Sequence, residues 1–235
     1  MLNKLFLFLL LFISLHNTSK AQNLPNLVTG RNINSTFSII AYDPEAREWG
    51  VAVATNNIYV GNSTCYIEPG LGAFSVIAET EPIYAVNGFK QFKEGKNIEQ
   101  AINYAKLPDT MADYRQVSGI DGNGNIYAFT GSTLKYWKGK SSQIIGKNFA
   151  VMGKQLAAET LNDMARVFEH SKGALAERLL RALIAGKHAS GQVSGKQAAA
   201  LLVKGTSNEW YNNIDLPVDH SRDPFGDLVR LLNYH

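Results

Sequence analysis

A chain of 235 residues with 23 basic and 20 acidic side chains has too even a charge balance for a nucleic-acid binder, which gathers Lys and Arg on one face to displace counterions. Its single cysteine, Cys65, excludes an internal disulfide. The fold must therefore rest on a hydrophobic core, which a chain of this length can supply.

The first 21 residues predict a cleavable secretory signal. Lys4 gives a positively charged start, Leu5 to Leu15 an apolar run broken by Ser14 alone, and Ser19-Lys20-Ala21 a small-x-small cleavage site. The run is shorter than the roughly 20 apolar residues that a permanent span requires, and no later segment approaches that length. Cleavage removes Lys4, Lys20 and no acidic residue, leaving 21 basic and 20 acidic side chains. Cys65 lies too far along the chain to be a lipid-attachment cysteine. The expectation is a periplasmic or secreted protein with no membrane span, divided into signal peptide (1–21), polar Asn-rich leader (22–35) and one globular domain (36–235).

From Thr36 the pattern becomes regular. Phe37, Ile39 and Ala41 alternate with Ser38, Ile40 and Tyr42, the period-2 signature of a strand; Asp43-Pro44 breaks it, and Val51 to Thr55 resumes it as a hairpin partner. Gly72 to Ala78 reads as a further apolar strand. Gln116 to Ile120 and Asn125 to Thr130 flank the turn sequence Asp121-Gly122-Asn123-Gly124, and so predict a second hairpin. Phe149 to Met152 and Ala198 to Val203 read as buried strands.

Helices fall between them. Asn97 with Gln100 has capping-box spacing, and Ile98, Ala101, Ile102 and Ala105 follow at i, i+3, i+4, i+7. Leu161, Met164, Ala165 and Phe168 form a second stripe, and Leu175, Leu179 and Leu183 a third after Gly173. A last helix begins at Asp223-Pro224 and carries Phe225, Leu228, Leu231 and Leu232. One-sided apolar helices in pairs between groups of strands predict an α+β fold in which helices cover sheet.

Most motifs resolve to structure. Gly191-Gln192-Val193-Ser194-Gly195-Lys196-Gln197 is one residue short of a phosphate-cradling loop and has Gln197 where a magnesium-binding hydroxyl is needed. Asp121 to Asn125 begins like a calcium loop, but Ile126 and Ser132 stand where Gly and the bidentate Glu belong. The histidines never fall at the spacing that puts two imidazoles on one helical face. Asp219 to Asp223 reads as a polar loop whose last member caps the terminal helix. Cys65 has no identifiable base. No fingerprint calls for a cofactor or metal.

Several segments together, TFSIIAYDPEAREWGVAVAT (Thr36–Thr55), GLGAFSVIA, RQVSGIDGNGNIYAFTG, FAVMG, GKQAAALLV and DLPVDHSRDPFGDLVRLL, resemble the domain-of-unknown-function family 1028, which is grouped with the N-terminal-nucleophile (Ntn) hydrolases. The likeness runs in register from Thr36 to about Leu232. It implies an Ntn-hydrolase-like four-layer αββα sandwich as a single domain after the signal peptide. It also implies a nucleophile at the first residue of the first strand, here Thr36, whose own α-amine is the general base. Such an amine titrates near pH ~8, so it can accept a proton near neutrality and activate the hydroxyl without a histidine. Arg115, Gln116, Gln197 and Asp219 match recurrent polar positions of the family and are the expected substrate-binding residues.

This chain departs from the family pattern in four places. Residues 22–35 precede Thr36, so its nitrogen is an amide until a second cleavage frees it. The family's Gly-Asp-x-Arg-Gly-x-Gln-Ser appears as Gly191 to Ala198 without its charges, its Gln-Gly-Asn as Met152-Gly153-Lys154, and its Arg-Val-Asp-Asp-His as Pro217 to Ser221. The resemblance implies an exported hydrolase of an amide or related C–N bond in a small or peptide-like substrate. The alternative is a catalytically inactive binding protein on the same fold, with Tyr66, Tyr84 and Tyr211 as contacts. A third reading is a metal-assisted hydrolase using His188, Asp219 and His220. Hydrophobic sheet edges would suit a homodimer.

Overall fold

Asp43 closes the first hairpin: its Oδ1 accepts from the backbone N–H of Glu45 (3.0 Å) and Ala46 (3.2 Å), and Arg47 takes φ 55°. The computed structural model describes residues 35–189, 196–207, 209 and 213–235, all within one compact unit, Asn32–His235. The hairpin joins β1 (Thr36–Asp43) to β2 (Glu48–Thr55). A short helix α1 (Gly61–Thr64), β3 (Cys65–Glu68) and β4 (Gly72–Ala78) follow, then helices α2 (Ile83–Lys93) and α3 (Ile98–Lys106). The middle of the chain gives β5 (Arg115–Asp121), β6 (Ile126–Thr130), β7 (Lys140–Gly146) and β8 (Phe149–Leu156). Helices α4 (Thr160–His170) and α5 (Leu175–Ala189), strands β9 (Ala198–Lys204) and β10 (Ile214–Val218), and α6 (Pro224–Tyr234) complete it.

The strands form two antiparallel sheets, a six-stranded one ordered β10-β9-β2-β1-β8-β7 and a four-stranded one ordered β3-β4-β5-β6. Alternation along β1 explains how they stack. Phe37, Ile39 and Ala41 face Leu161, Met164, Phe168, Leu179 and Leu183 of α4 and α5, whereas Ile40 packs with Ile67, Ala73 and Ile120 of the second sheet. The second sheet's other face, through Phe74, Val76 and Val117, receives Tyr84 of α2 and Ile98 and Ile102 of α3. Two sheets thus face each other, with helices on the outside of both. Polar ties cross between them: Ser75 Oγ donates to Ser38 Oγ (3.0 Å), and Gln116 Nε2 donates to Gly153 O (3.0 Å).

Elements with strong periodicity lie where the sequence predicts them, down to the capping box, in which Asn97 Oδ1 accepts from Gln100 N (2.9 Å) and Gln100 Oε1 from Asn97 N (3.1 Å). Five of the labelled elements lie beyond the sequence expectations, the one-turn helix α1 among them. Strands β3, β7 and β10 are sheet-edge strands, where one side needs no partner and the apolar alternation is not required; β10 even carries Pro217. Helix α2 contains Gly88, because a Cβ there would lie 2.7 Å from Phe74 Cε2. Asp223 corrects another expectation: it stands at the N-cap of α6, but its side chain makes no cap hydrogen bond and pairs instead with Lys187 Nζ at 3.2 Å.

Candidate functional site around Thr36

The register of the large sheet gathers the site. Thr36 opens β1, opposite Thr55 at the end of β2 and opposite Lys154 in β8. Directly paired residues point to the same face of a sheet, so Thr55, Thr36 and Lys154 form a polar row at one end of an otherwise apolar surface. The Thr36 and Thr55 hydroxyl oxygens lie 2.8 Å apart, and Thr55 Oγ1 also accepts from Asn57 N at 3.3 Å.

A cavity of about 390 Å³ opens over this row. Thr36 and Thr55 contribute to its floor, residues 56–60 and Ser63–Thr64 one wall, and Ile77 to Thr80 the other. The second wall turns at Ala78, which takes φ 75°, a conformation costly for a residue with a Cβ and one that concentrates at functional sites. This turn leads into Glu79, whose carbonyl is held by Arg115 Nη1 at 2.5 Å and whose N–H donates to Tyr114 O at 3.3 Å.

Behind Thr36 sits Lys196, buried to 8% exposure. Its Nζ donates to Ser35 O (2.9 Å) and Asn56 Oδ1 (2.8 Å), contacts Ser35 Oγ, and lies 4.8 Å from the centre of the Phe37 ring. The Ser35 carbonyl also accepts from the Asn56 N–H at 3.2 Å. Two donors thus converge on the carbonyl of the peptide that joins Ser35 to Thr36. Burial brings Lys196 down to about 7, with the charge of Lys154 adding to the effect. Burial likewise brings Lys154 down to about 8, partly offset by Glu79.

Of the residues expected to bind substrate, none but Thr36, the expected nucleophile, lines this cavity. Arg115 stands behind the wall: its Nε and Nη2 grip the two oxygens of Asp109 at 2.5 and 3.0 Å while Nη1 fixes Glu79. The paired Arg115 holds the Asp109 carboxyl below the usual carboxylate range. Gln116 is fully buried between the sheets, donating to Thr130, Ser142 and Gly153. Gln197 turns its side chain to solvent and uses its backbone, donating to Thr55 O (2.9 Å) and accepting from Ser221 N (2.8 Å). Asp219 Oδ1 accepts from Val60 N at 3.1 Å, so it fixes the cavity wall from outside.

Sequence reasoning missed Ser35, Thr55, Asn56 and the two lysines as site residues. A signal for one existed: Lys154 is a cation inside an apolar strand, and the same segment supplies the departure Met152-Gly153-Lys154 from the family pattern. The aromatic contacts of the binding-protein reading need correction. Tyr84 is fully buried, with its hydroxyl on Asp109 at 2.8 Å, Tyr66 packs half-buried against the α2–α3 core, and Tyr211 lies outside the described residues. Residues 191–195 of the loop-like glycine motif also lie outside them. Burial pushes the Cys65 thiol up, away from the thiolate a nucleophile needs. Asp121 acts as a turn residue, its Oδ1 accepting from the N–H of Asn123 and Asn125. Among the described residues no three His, Cys, Asp or Glu side chains gather as metal ligands; His188 and His220 are both exposed.

Two antiparallel sheets flanked by helices, with a threonine opening the central hairpin into a cavity, define an α+β sandwich. Its family follows from the sequence: residues 36–228 match the family of unknown function DUF1028, and the chain belongs to that family. It is similar to the crystal structure of protein SPO2555 from Silicibacter pomeroyi, of the same family, with 28% identity over 85% of each chain and a TM-score of 0.77. Weaker likenesses are to Anbu (ancestral beta-subunit) from Yersinia bercovieri, with 8% identity over 84% of this chain and 93% of that one, and to an Anbu (Gly-1) mutant from Hyphomicrobium sp. strain MC1, with 13% identity over 85% and 94%; both have a TM-score of 0.40. No curated protein matches the chain.

Proposed function

We propose that this protein is an exported N-terminal-nucleophile hydrolase of an amide or related C–N bond in a small or peptide-like substrate, with Thr36 as the nucleophile. The face-to-face sheets with outer helices support reading the fold as the four-layer αββα sandwich of such enzymes. The observation that carries the function is the convergence of Lys196 Nζ and Asn56 N–H on the Ser35 carbonyl, next to the Thr36 hydroxyl. Donors aimed at a carbonyl oxygen are what an attacked acyl group needs, because they stabilise the negative charge that develops there.

The Ser35–Thr36 peptide is the first acyl group in that position. Thr36 Oγ1 attacks the Ser35 carbonyl carbon, its proton leaving along the contact to Thr55 Oγ1. The tetrahedral oxyanion rests on Lys196 and Asn56, and collapse breaks the C–N bond as the Thr36 nitrogen takes up a proton. The resulting ester is hydrolysed by water, leaving a Ser35 carboxylate and a Thr36 with free amine and free hydroxyl. The amine then serves as base for that hydroxyl, which attacks the substrate carbonyl held by the same two donors. Acyl-enzyme formation expels the substrate's amine, and water releases the acid.

Intact mass and N-terminal sequencing of the protein recovered from its exporting host test this directly. The expected chain starts at Thr36, and Thr36→Ala keeps the preceding residues while Thr36→Ser loses them. A wild-type chain that starts at or near Gln22 and still hydrolyses amides would remove Thr36 from the mechanism.

A further inference from the structure

We infer that the substrate's acyl group carries a branched or aromatic apolar side chain, received by Ile58 and Tyr59 at the lip of the Thr36 cavity; this rests on the reading of Thr36 as nucleophile. The floor of the cavity is polar, but the wall beside Asn56 ends in two large apolar side chains, Ile58 at 51% and Tyr59 at 66% exposure. Single exposed apolar residues are common on protein surfaces and mean little alone. These two are adjacent, stand beside a nucleophile, and are prevented from folding inward.

The restraint comes from both ends of the segment. Asn57 N donates to Thr55 Oγ1, His220 N to Ile58 O at 2.7 Å, and Val60 N to Asp219 Oδ1 at 3.1 Å, while the Val60 side chain is buried. His220 adopts φ 48° in making its contact, a conformation a non-glycine residue holds only when its surroundings impose it. Asp219 and His220 are therefore positioning residues for the lip. A segment held this way presents apolar surface to a ligand without a further ordering cost.

Geometry also says which half of the substrate lies there. Asn56, whose N–H is one of the two donors on the acyl oxygen, is followed in the same cavity wall by residues 57–59, so the acyl side of the substrate is assigned to that wall. The matching substrate is an aminoacyl or acyl amide with a Leu-like or Phe-like side chain, in preference to a glycyl, acidic or basic one.

Binding and turnover separate this inference from the one beneath it. The acetylated amides of glycine, leucine and phenylalanine are titrated by calorimetry against the protein as recovered from its host. The leucine and phenylalanine amides should bind roughly 10-fold or more tighter than the glycine amide, and Ile58→Ala with Tyr59→Ala together should erase that ratio at unchanged thermal stability. Asp219→Ala should shrink the ratio with both lip side chains still in place. Equal binding of the three amides, or a preference that survives the double substitution, overturns the inference. The p-nitroanilides of the same amino acids then report on Thr36. A binding preference without hydrolysis retains the lip and discards the nucleophile, whereas hydrolysis without apolar preference does the reverse.

Discussion

Lys196 and Ser35, 161 positions apart in sequence, meet at 2.9 Å through an ammonium and a backbone carbonyl, both buried at the start of β1. A buried lysine is costly, and Lys196 offsets that cost by spreading its donors over Ser35 and Asn56. The peptide it holds is the one whose cleavage would free Thr36 under the proposed mechanism.

Lys196→Met tests that role. Methionine retains the length and the contact with Phe37 but has no donor, so one of the two hydrogen bonds on the Ser35 carbonyl disappears. Loss of one such donor slows acyl transfer about 100-fold or more. A time course of intact mass after synthesis should show the uncleaved chain persisting in Lys196→Met under conditions where the wild type has none left. Equal cleavage in both would assign the step to another group or to a separate protease.

The same lysine makes stability depend on pH in a defined direction. Its folded-state value is about 7 against an ordinary value of 10.5, so between those limits the unfolded chain holds a proton that the folded site gives up. Stability therefore rises with pH across that window and levels off above it; below about pH 7 the full penalty for the buried charge is present. Lys154, at about 8, acts in the same sense over a narrower span. In the uncleaved Thr36→Ala background, which keeps Ser35 beside the lysine, the stability difference between Lys196 and Lys196→Met, from urea midpoints, should shift in favour of Lys196 from pH 7 to 9. A constant difference would mean the ammonium is not penalised by burial.

Arg115 and Asp109 predict the opposite pH behaviour. Their side chains are 9% and 7% exposed, and Asp109 accepts from Arg115, Tyr84 and Met111 together. Its carboxyl is held below the ordinary 3.8 by Arg115 first, so its contribution is present above about pH 4 and is lost as pH falls through the folded value. Arg115→Met leaves a buried carboxylate without its cation and should cost about 3–5 kcal/mol. Thermal melts at neutral pH measure that loss. Asp109→Asn should differ less from wild type at pH 3 than at pH 7.

What was legible in the sequence follows from where energy is concentrated along the chain. Strands β4 and β8 announce themselves because burial on both faces forces long apolar runs, β1 through its alternation, and α3 because its cap is written locally in Asn97 and Gln100. Edge strands such as β7 answer to one neighbour only and show no comparable pattern. The candidate site was legible at Thr36, through the family likeness, but its surroundings were not. Lys154 meets Thr36 through strand register, and Lys196 reaches Ser35 across the β2–β9 connection, relations that no local spacing records. Arg115 and Asp219, matched by family position, turn out to brace the cavity walls from behind.

Gly186 links the helical layer to the site. It lies in α5, where alanine would ordinarily favour the helix by about 1 kcal/mol. A Cβ there would stand 2.8 Å from Met164 Sδ and 2.9 Å from Phe37 Cε2. Methionine can shift, but the Phe37 ring is fully buried, directly follows Thr36 and lies under Lys196. Overpacking of this kind costs about 1–3 kcal/mol, which exceeds the helical gain and displaces the ring toward the lysine. Gly186→Ala should therefore lower thermal stability modestly and slow cleavage before Thr36 by more than its loss of folded protein explains. Gly88→Ala, which crowds Phe74 under the other sheet, is the control: it should destabilise without slowing cleavage per folded molecule. If both variants cleave alike, the position of Phe37 has no bearing on Lys196, and the close approach of α5 serves packing alone.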